Sequence, residues 1–145
     1  MLSLFDTYIN SLLSYASELW DAHKAPVIER AHLNYCKNIL RVKSSTKNVM
    51  VYHELGRLPL IFTRKCRIFK YWFKILTTSN CILRNCYDYL YDELERCPNN
   101  KCNWLYFVKN ELLTIGLGYV WYNQNFITDM TDAFFVIVKQ RLHDC

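Results

Sequence analysis

Apolar residues recur at steps of three and four almost from end to end of this chain, and sustained alternation is scarce. That is the period of helices buried on one face, not of strands. Only three glycines and three prolines interrupt the 145 residues. These are too few for a turn-dense β-sandwich, a collagen-like repeat or a glycine-rich loop design. With 52% hydrophobic and 16% aromatic residues, the chain carries enough apolar surface to offset the entropy of ordering, which excludes a disordered tail. The expectation is all-α: a compact single domain over residues 1–145, built of about six or seven helices.

Punctuation along the chain places those helices. Leu4, Tyr8, Leu12, Tyr15 and Leu19 trace one stripe of a first helix that ends near Asp21. Pro26 suits the first turn of a second, where its missing N–H has no intrahelical partner to lose. That helix carries Ile28, His32, Tyr35, Cys36, Ile39 and Leu40, with Glu29 near its positive end and Arg41 and Lys43 near its negative end. Ser45 or Thr46 is placed to cap a short third helix stopping at Gly56. Pro59 opens a long fourth helix to Thr77, and Asn80 introduces a fifth over residues 82–96, with Arg84/Asp88 and Asp92/Arg96 at ion-pair spacing. Cys97-Pro98-Asn99-Asn100 is a turn, and Asn103 or its neighbour caps a sixth helix running to Gly116. Thr128 or Asp129 caps a last one with a core of Phe134, Phe135, Ile137, Val138 and Leu142.

Several function classes fall away. The opening residues lack a basic segment before an apolar run, so they do not read as a secretory signal. The uncharged stretch 112–128 is broken by Gly116, Gly118, Asn123, Gln124 and Asn125 and is too short for a membrane span. A soluble, intracellular chain is expected, with no membrane partner. Seven cysteines, an odd number, then read as free thiols. Cys81, Cys86, Cys97 and Cys102 could supply four thiolates to zinc, but neither pair has two-residue spacing, and small buried hydrophobes are the stronger reading. His32 and Cys36 share a helical face and read as a packed pair. No phosphate-binding loop, dinucleotide fingerprint, zinc-protease helix or nucleophile elbow is present. The carboxylates around Asp88, Asp92, Glu93 and Glu95 are splayed around a helix and read as a solvated face. No cofactor, metal or catalytic residue is expected.

Charge is where the sequence becomes specific. Residues 37–74 hold ten bases against one acid, a net +9, while the remainder holds eight against twelve, a net −4; together they give the chain's +5. A concentrated basic block is the footprint of a phosphate-backbone binder. On the fourth helix Thr63, Arg67, Lys70 and Lys74 share one stripe, opposite Ile61, Ile68, Trp72, Ile75 and Leu76. Arg64 and Tyr71 flank that stripe as a further phosphate contact and an aromatic platform. The candidate nucleic-acid contacts are Arg57, Arg64, Arg67, Lys70, Lys74 and Lys43. The plainer alternatives are a solvated face, a stripe paired with the acidic fifth helix, and an Arg57 paired with Glu54. Trp20, Trp72 and Trp104 read as core rather than as base-stacking residues.

The blocks Ile28-Glu29-Arg30, Tyr35-Cys36-Lys37-Asn38-Ile39-Leu40-Arg41-Val42-Lys43 and Val51-Tyr52-His53-Glu54-Leu55-Gly56-Arg57-Leu58-Pro59 resemble a stretch of LINE-type non-LTR retrotransposon proteins just C-terminal to the reverse-transcriptase palm. The likeness continues through Arg67-Ile68-Phe69-Lys70-Tyr71-Trp72 and, before it, Glu18-Leu19-Trp20, which is similar to the family's thumb-like helices. It extends to Trp104, Gly116, Trp121 and Gln124. It rests on packing patterns spread over nearly the whole chain. The family's parent protein is an RNA-directed DNA polymerase, but its palm aspartates, its endonuclease and its Cys/His knuckle have no counterpart here. The resemblance therefore implies a detached, noncatalytic piece: a truncated element copy, a gene-model fragment or a domesticated remnant. It implies contact with RNA or DNA backbone in the parent, and a palm domain as a packing partner. The alternative is a structural remnant or protein-interaction module with no activity of its own.

Overall fold

The computed structural model describes residues 4–20, 25–124 and 131–144. The chain is all-α, with no strand among the described residues. It gathers into two compact units, Met1–Lys65 and Cys66–Cys145. The boundary falls inside the helix Leu60–Thr77, so no linker, proline or change of composition announces it.

The first unit contains a π-helical turn, Phe5–Ile9, then α1 (Asn10–Leu13), α2 (Ser17–Trp20), α3 (Pro26–Leu40), α4 (Asn48–Glu54) and the opening residues of α5 (Leu60–Thr77). Its N-terminal segment departs from the expected single helix. The wider π turn shifts the helical phase, and Ala16, at φ +51°, breaks the helix between α1 and α2. Phe5 is the buried anchor, stacked on Tyr35 and His32 at 4.3 and 5.2 Å between ring centroids. The stripe expected to face the core, from Leu4 to Leu19, is exposed along its length, whereas Ser14 and Ser17 are buried.

Pro26 occupies the first turn of α3 as expected, and Arg41 ends that helix in the left-handed conformation at φ +52°. Neither Ser45 nor Thr46 caps α4: the Thr46 N–H is spent on the Lys43 carbonyl at 3.0 Å, and Lys47 takes the cap position without a side-chain bond. Gly56 closes the following turn at φ +58°, a conformation cheap only for glycine. Glu29 then does something its place in the sequence did not reveal. Its carboxylate accepts from the Leu60 N–H at 3.1 Å and so caps α5 from another helix.

The second unit holds the rest of α5 with α6 (Cys81–Arg96), α7 (Trp104–Thr114), α8 (Gly118–Tyr122) and α9 (Thr131–Asp144). Asn80 caps α6 through bonds from the Ile82 and Leu83 N–H groups. Asn103 caps α7 from the Leu105 N–H and donates its amide to the Leu90 carbonyl at 2.8 Å. Of the two ion pairs expected on α6, Arg84–Asp88 closes at 3.9 Å and Asp92/Arg96 does not. Helix α8 was not anticipated. Gly116, at φ +72°, turns the chain into it, and a Cβ on Gly118 would stand 2.6 Å from Leu113 Cδ2. In α9, Phe134, Val138 and Leu142 are buried while Ile137 is exposed. The expected caps Thr128 and Asp129, the helix end at Asp21 and the side chain of Trp20 lie outside the described residues.

The core of this unit is aromatic. Trp72 is fully buried and stacks on Trp121 at 5.8 Å, and Tyr91 stacks on Trp121 at the same distance. Trp72 Nε1 donates to the Tyr87 hydroxyl at 3.3 Å, which donates to Gln124 Oε1 at 2.9 Å. Phe73 meets Phe134 and Phe135 edge-on.

Candidate nucleic-acid interface

Helix α5 presents the two faces that its sequence implies. Thr63, Lys70 and Lys74 are exposed and Arg67 is half-buried, while Ile68, Trp72 and Ile75 are buried on the other side; Ile61 and Leu76 are half-buried. Burial of the apolar set fixes the rotation of the helix, and that rotation presents the lysines to solvent. Lys70 Nζ lies 5.5 Å from the Phe135 ring centroid, a cation–π contact that positions the ammonium and leaves its charge in place. Neither Lys70 nor Lys74 forms an ion pair among the described residues. Among the described residues no carboxylate of the acidic helix α6 pairs with either lysine; Asp88 pairs with Arg84 and Glu93 accepts from Asn100.

The stripe gains a neighbour that the sequence did not point to. Burial pushes the Cys66 thiol up, and the positive charges of Lys139 and Lys70 oppose that shift. Lys139 of α9 and Lys70 of α5 thus both act on the same thiol, although 69 positions separate them. Only folding reveals this.

Other candidate contacts are corrected. Arg64 is fully buried, with Nη2 donating to Glu29 Oε1 at 3.1 Å, so it serves the interior of the first unit instead of a phosphate. Arg57 donates through Nη2 to the Asp6 carboxylate, not to Glu54; its Nη1 sits 3.4 Å from His32 Nε2, and its guanidinium lies over the Phe5 ring. Tyr71 is no free platform, since it meets the Trp104 ring at 5.9 Å in edge contact. Lys43 is exposed on the loop between α3 and α4, with Arg41 and Lys47 exposed beside it, while Lys37 is buried and donates to the Ser44 carbonyl at 2.6 Å. The basic block thus divides into a loop group in the first unit, a helix group in the second, and arginines turned inward.

His32 and Cys36 are the buried neighbours that the sequence suggested. Burial, and secondly the Arg57 charge, lower the His32 pKa; burial raises that of Cys36. Both shifts favour the neutral forms, opposite to a thiolate–imidazolium pair. Tyr52 is pushed up to about 12 by burial and the Glu29 charge. Cys81, Cys86, Cys97 and Cys102 are exposed free thiols, and among the described residues no group of three or more His, Cys, Asp or Glu is placed to hold a metal ion. No helix among them is long and apolar enough to cross a membrane.

Two clefts remain. One of about 380 Å³ in the first unit is lined by Pro26, Arg30, Asn48 and the Glu29–Arg64 pair. One of about 470 Å³ in the second is lined by Tyr91, Glu95, Lys109, Trp121 and Tyr122, with Lys109 Nζ 5.9 Å above the Trp121 ring. In the first, Arg64 is held by Glu29, and in the second Lys109 lies over the Trp121 ring. No family model matches this chain, and neither does any curated protein or solved structure.

Proposed function

We propose that this chain is a noncatalytic helical module that binds nucleic-acid backbone through α5, with Lys70 and Lys74 as principal contacts and Arg67 and Lys139 beside them. The observation that carries this reading is the pair of exposed lysines four residues apart on a helix whose opposite face is anchored in an aromatic core. Such cations engage phosphates as point charges and read no sequence, so RNA and DNA are bound without base specificity. The resemblance to the region that follows a reverse-transcriptase palm agrees with this role. If three of these cations meet phosphates of a duplex, log affinity falls against log salt with a slope of about −2 to −3.

The test is retention on heparin and on single-stranded RNA for the wild type and for Lys70→Glu/Lys74→Glu. Both positions are exposed, so the variant keeps its helical circular dichroism and its melting transition. It should lose roughly tenfold or more in affinity at low salt. Unchanged retention in a folded variant rejects the assignment.

A further inference from the structure

Two residues of the N-terminal segment are held around one buried imidazole. His32, on α3, is 1% exposed and meets two rings, Phe5 at 5.2 Å between centroids and Tyr52 of α4 at 5.6 Å. Its Nε2 is 3.4 Å from Arg57 Nη1, and the same guanidinium bonds the Asp6 carboxylate and lies over the Phe5 ring. Phe5 and Asp6 both belong to the π-helical turn. Each is therefore held by a group that also meets His32.

Hydrogen-bond chemistry fixes the form of the ring in this arrangement. A guanidinium only donates, so Nε2 accepts and the neutral ring carries its proton on Nδ1. Nδ1 is buried and has no hydrogen-bond partner among the described residues. A second proton turns Nε2 into a donor facing a donor, and sets an imidazolium against a guanidinium in a site closed to water. The other groups around the ring do not relieve this. Cys36 is kept neutral by burial, and Tyr52 is pushed up to about 12 by burial and the Glu29 charge. Tyr35 is engaged on the Phe5 ring. The Asp6 carboxylate favours the added proton, but by less than burial and the Arg57 charge oppose it.

We propose that protonation of His32 releases the N-terminal segment from α3. The imidazolium expels the Arg57 guanidinium, which removes the partner of Asp6. Both ring N–H groups then need water, and Phe5 is one of the two rings that cover them. Lifting Phe5 admits that water while α3 stays in place. The bonds from Glu29 to Arg64 and to the Leu60 N–H, and from Lys37 to the Ser44 carbonyl, do not involve His32 and survive the release.

Hydrogen exchange of the full chain between pH 7.5 and pH 5, corrected for intrinsic rates, tests this, with the His32 imidazole followed by NMR in the same samples. The Asn10 amide is bonded to the Phe5 carbonyl and the Ser14 amide to that of Asn10. Their protection should fall roughly threefold or more over this range, since a lowered pKa is worth up to tenfold per pH unit between the released and docked values. The fall should follow the titration of the imidazole, with α3 and α4 losing less. In His32→Gln it should vanish. If that variant does not fold, the wild type still decides. An imidazole that takes up its proton while the Asn10 and Ser14 amides stay protected overturns the proposal. So does a fall that persists in folded His32→Gln, or an equal loss across α3 and α4, which is unfolding of the unit and not release of the segment.

Discussion

The two units solve the problem of an interior in opposite ways. In the second, aromatic rings stack on one another, and the buried Trp72 indole N–H donates to Tyr87, which donates to Gln124. In the first, polar groups do much of the holding: Arg64 on Glu29, Arg57 on Asp6 and His32, and Lys37 on a loop carbonyl. The same unit leaves Leu4, Tyr8, Leu12, Tyr15 and Leu19 exposed. The first unit thus turns Lys37, Arg57 and Arg64 inward while Arg41, Lys43 and Lys47 stay exposed, and the second keeps Lys70 and Lys74 exposed. A basic residue marks a binding surface only where nothing in its own fold claims it.

Deleting the centre of the aromatic core should have the largest effect. Trp72→Ala is expected to cost about 3–5 kcal/mol and to abolish the cooperative transition of the second unit. Tryptophan fluorescence follows it, since Trp104 and Trp121 remain there as reporters. Arg64→Ala comes next, at about 3 kcal/mol in the first unit, because it strands Glu29 at the start of α5. Lys74→Ala should stay within about 0.5 kcal/mol. Denaturant melts of these two variants sharpen the contrast between inward and outward cations, and equal costs would break it. Asn103→Ala removes both a helix cap and the donor to the Leu90 carbonyl, and should cost about 1–2 kcal/mol in the second unit alone.

The smallest effect concerns pH. His32 has its pKa lowered in the fold, chiefly by burial and then by Arg57, so the unfolded chain takes up the proton first as pH falls. Stability of the first unit is therefore full above about pH 6.5, the ordinary imidazole value. It declines below that value, and no comparable loss appears as pH is raised to 8. His32→Gln should flatten this dependence. Amide exchange in α3 at pH 5 and pH 7 measures it.

Much of the helical scaffold was legible, because Pro26, Gly56, Pro59, Asn80, Asn103 and Gly116 announce starts and stops by local chemistry that does not depend on the rest of the fold. The face a stripe turns to was legible only where the helix is long and two-sided, as in α5. In the N-terminal segment the three- and four-residue period is equally consistent with facing inward or outward, and the left-handed Ala16 that breaks the helix leaves no mark in residue type. Arg64 and Arg67 lie three positions apart in the same basic run, yet Arg64 is fully buried on a carboxylate from 35 positions earlier while Arg67 is half-buried. Lys139, from the far end of the chain, acts on the same Cys66 thiol as Lys70. Such partners come from tertiary structure, and pattern within one helix does not contain them.

The most direct measurement is the salt dependence of RNA binding by the wild type and by Lys70→Ala/Lys74→Ala. Removing two phosphate contacts should make the slope of log affinity against log salt shallower by about 1.4 on a single strand and about 1.8 on a duplex. An identical slope for the two proteins would mean that the lysines of α5 touch no phosphate, and the assignment of this helix as the interface would be wrong.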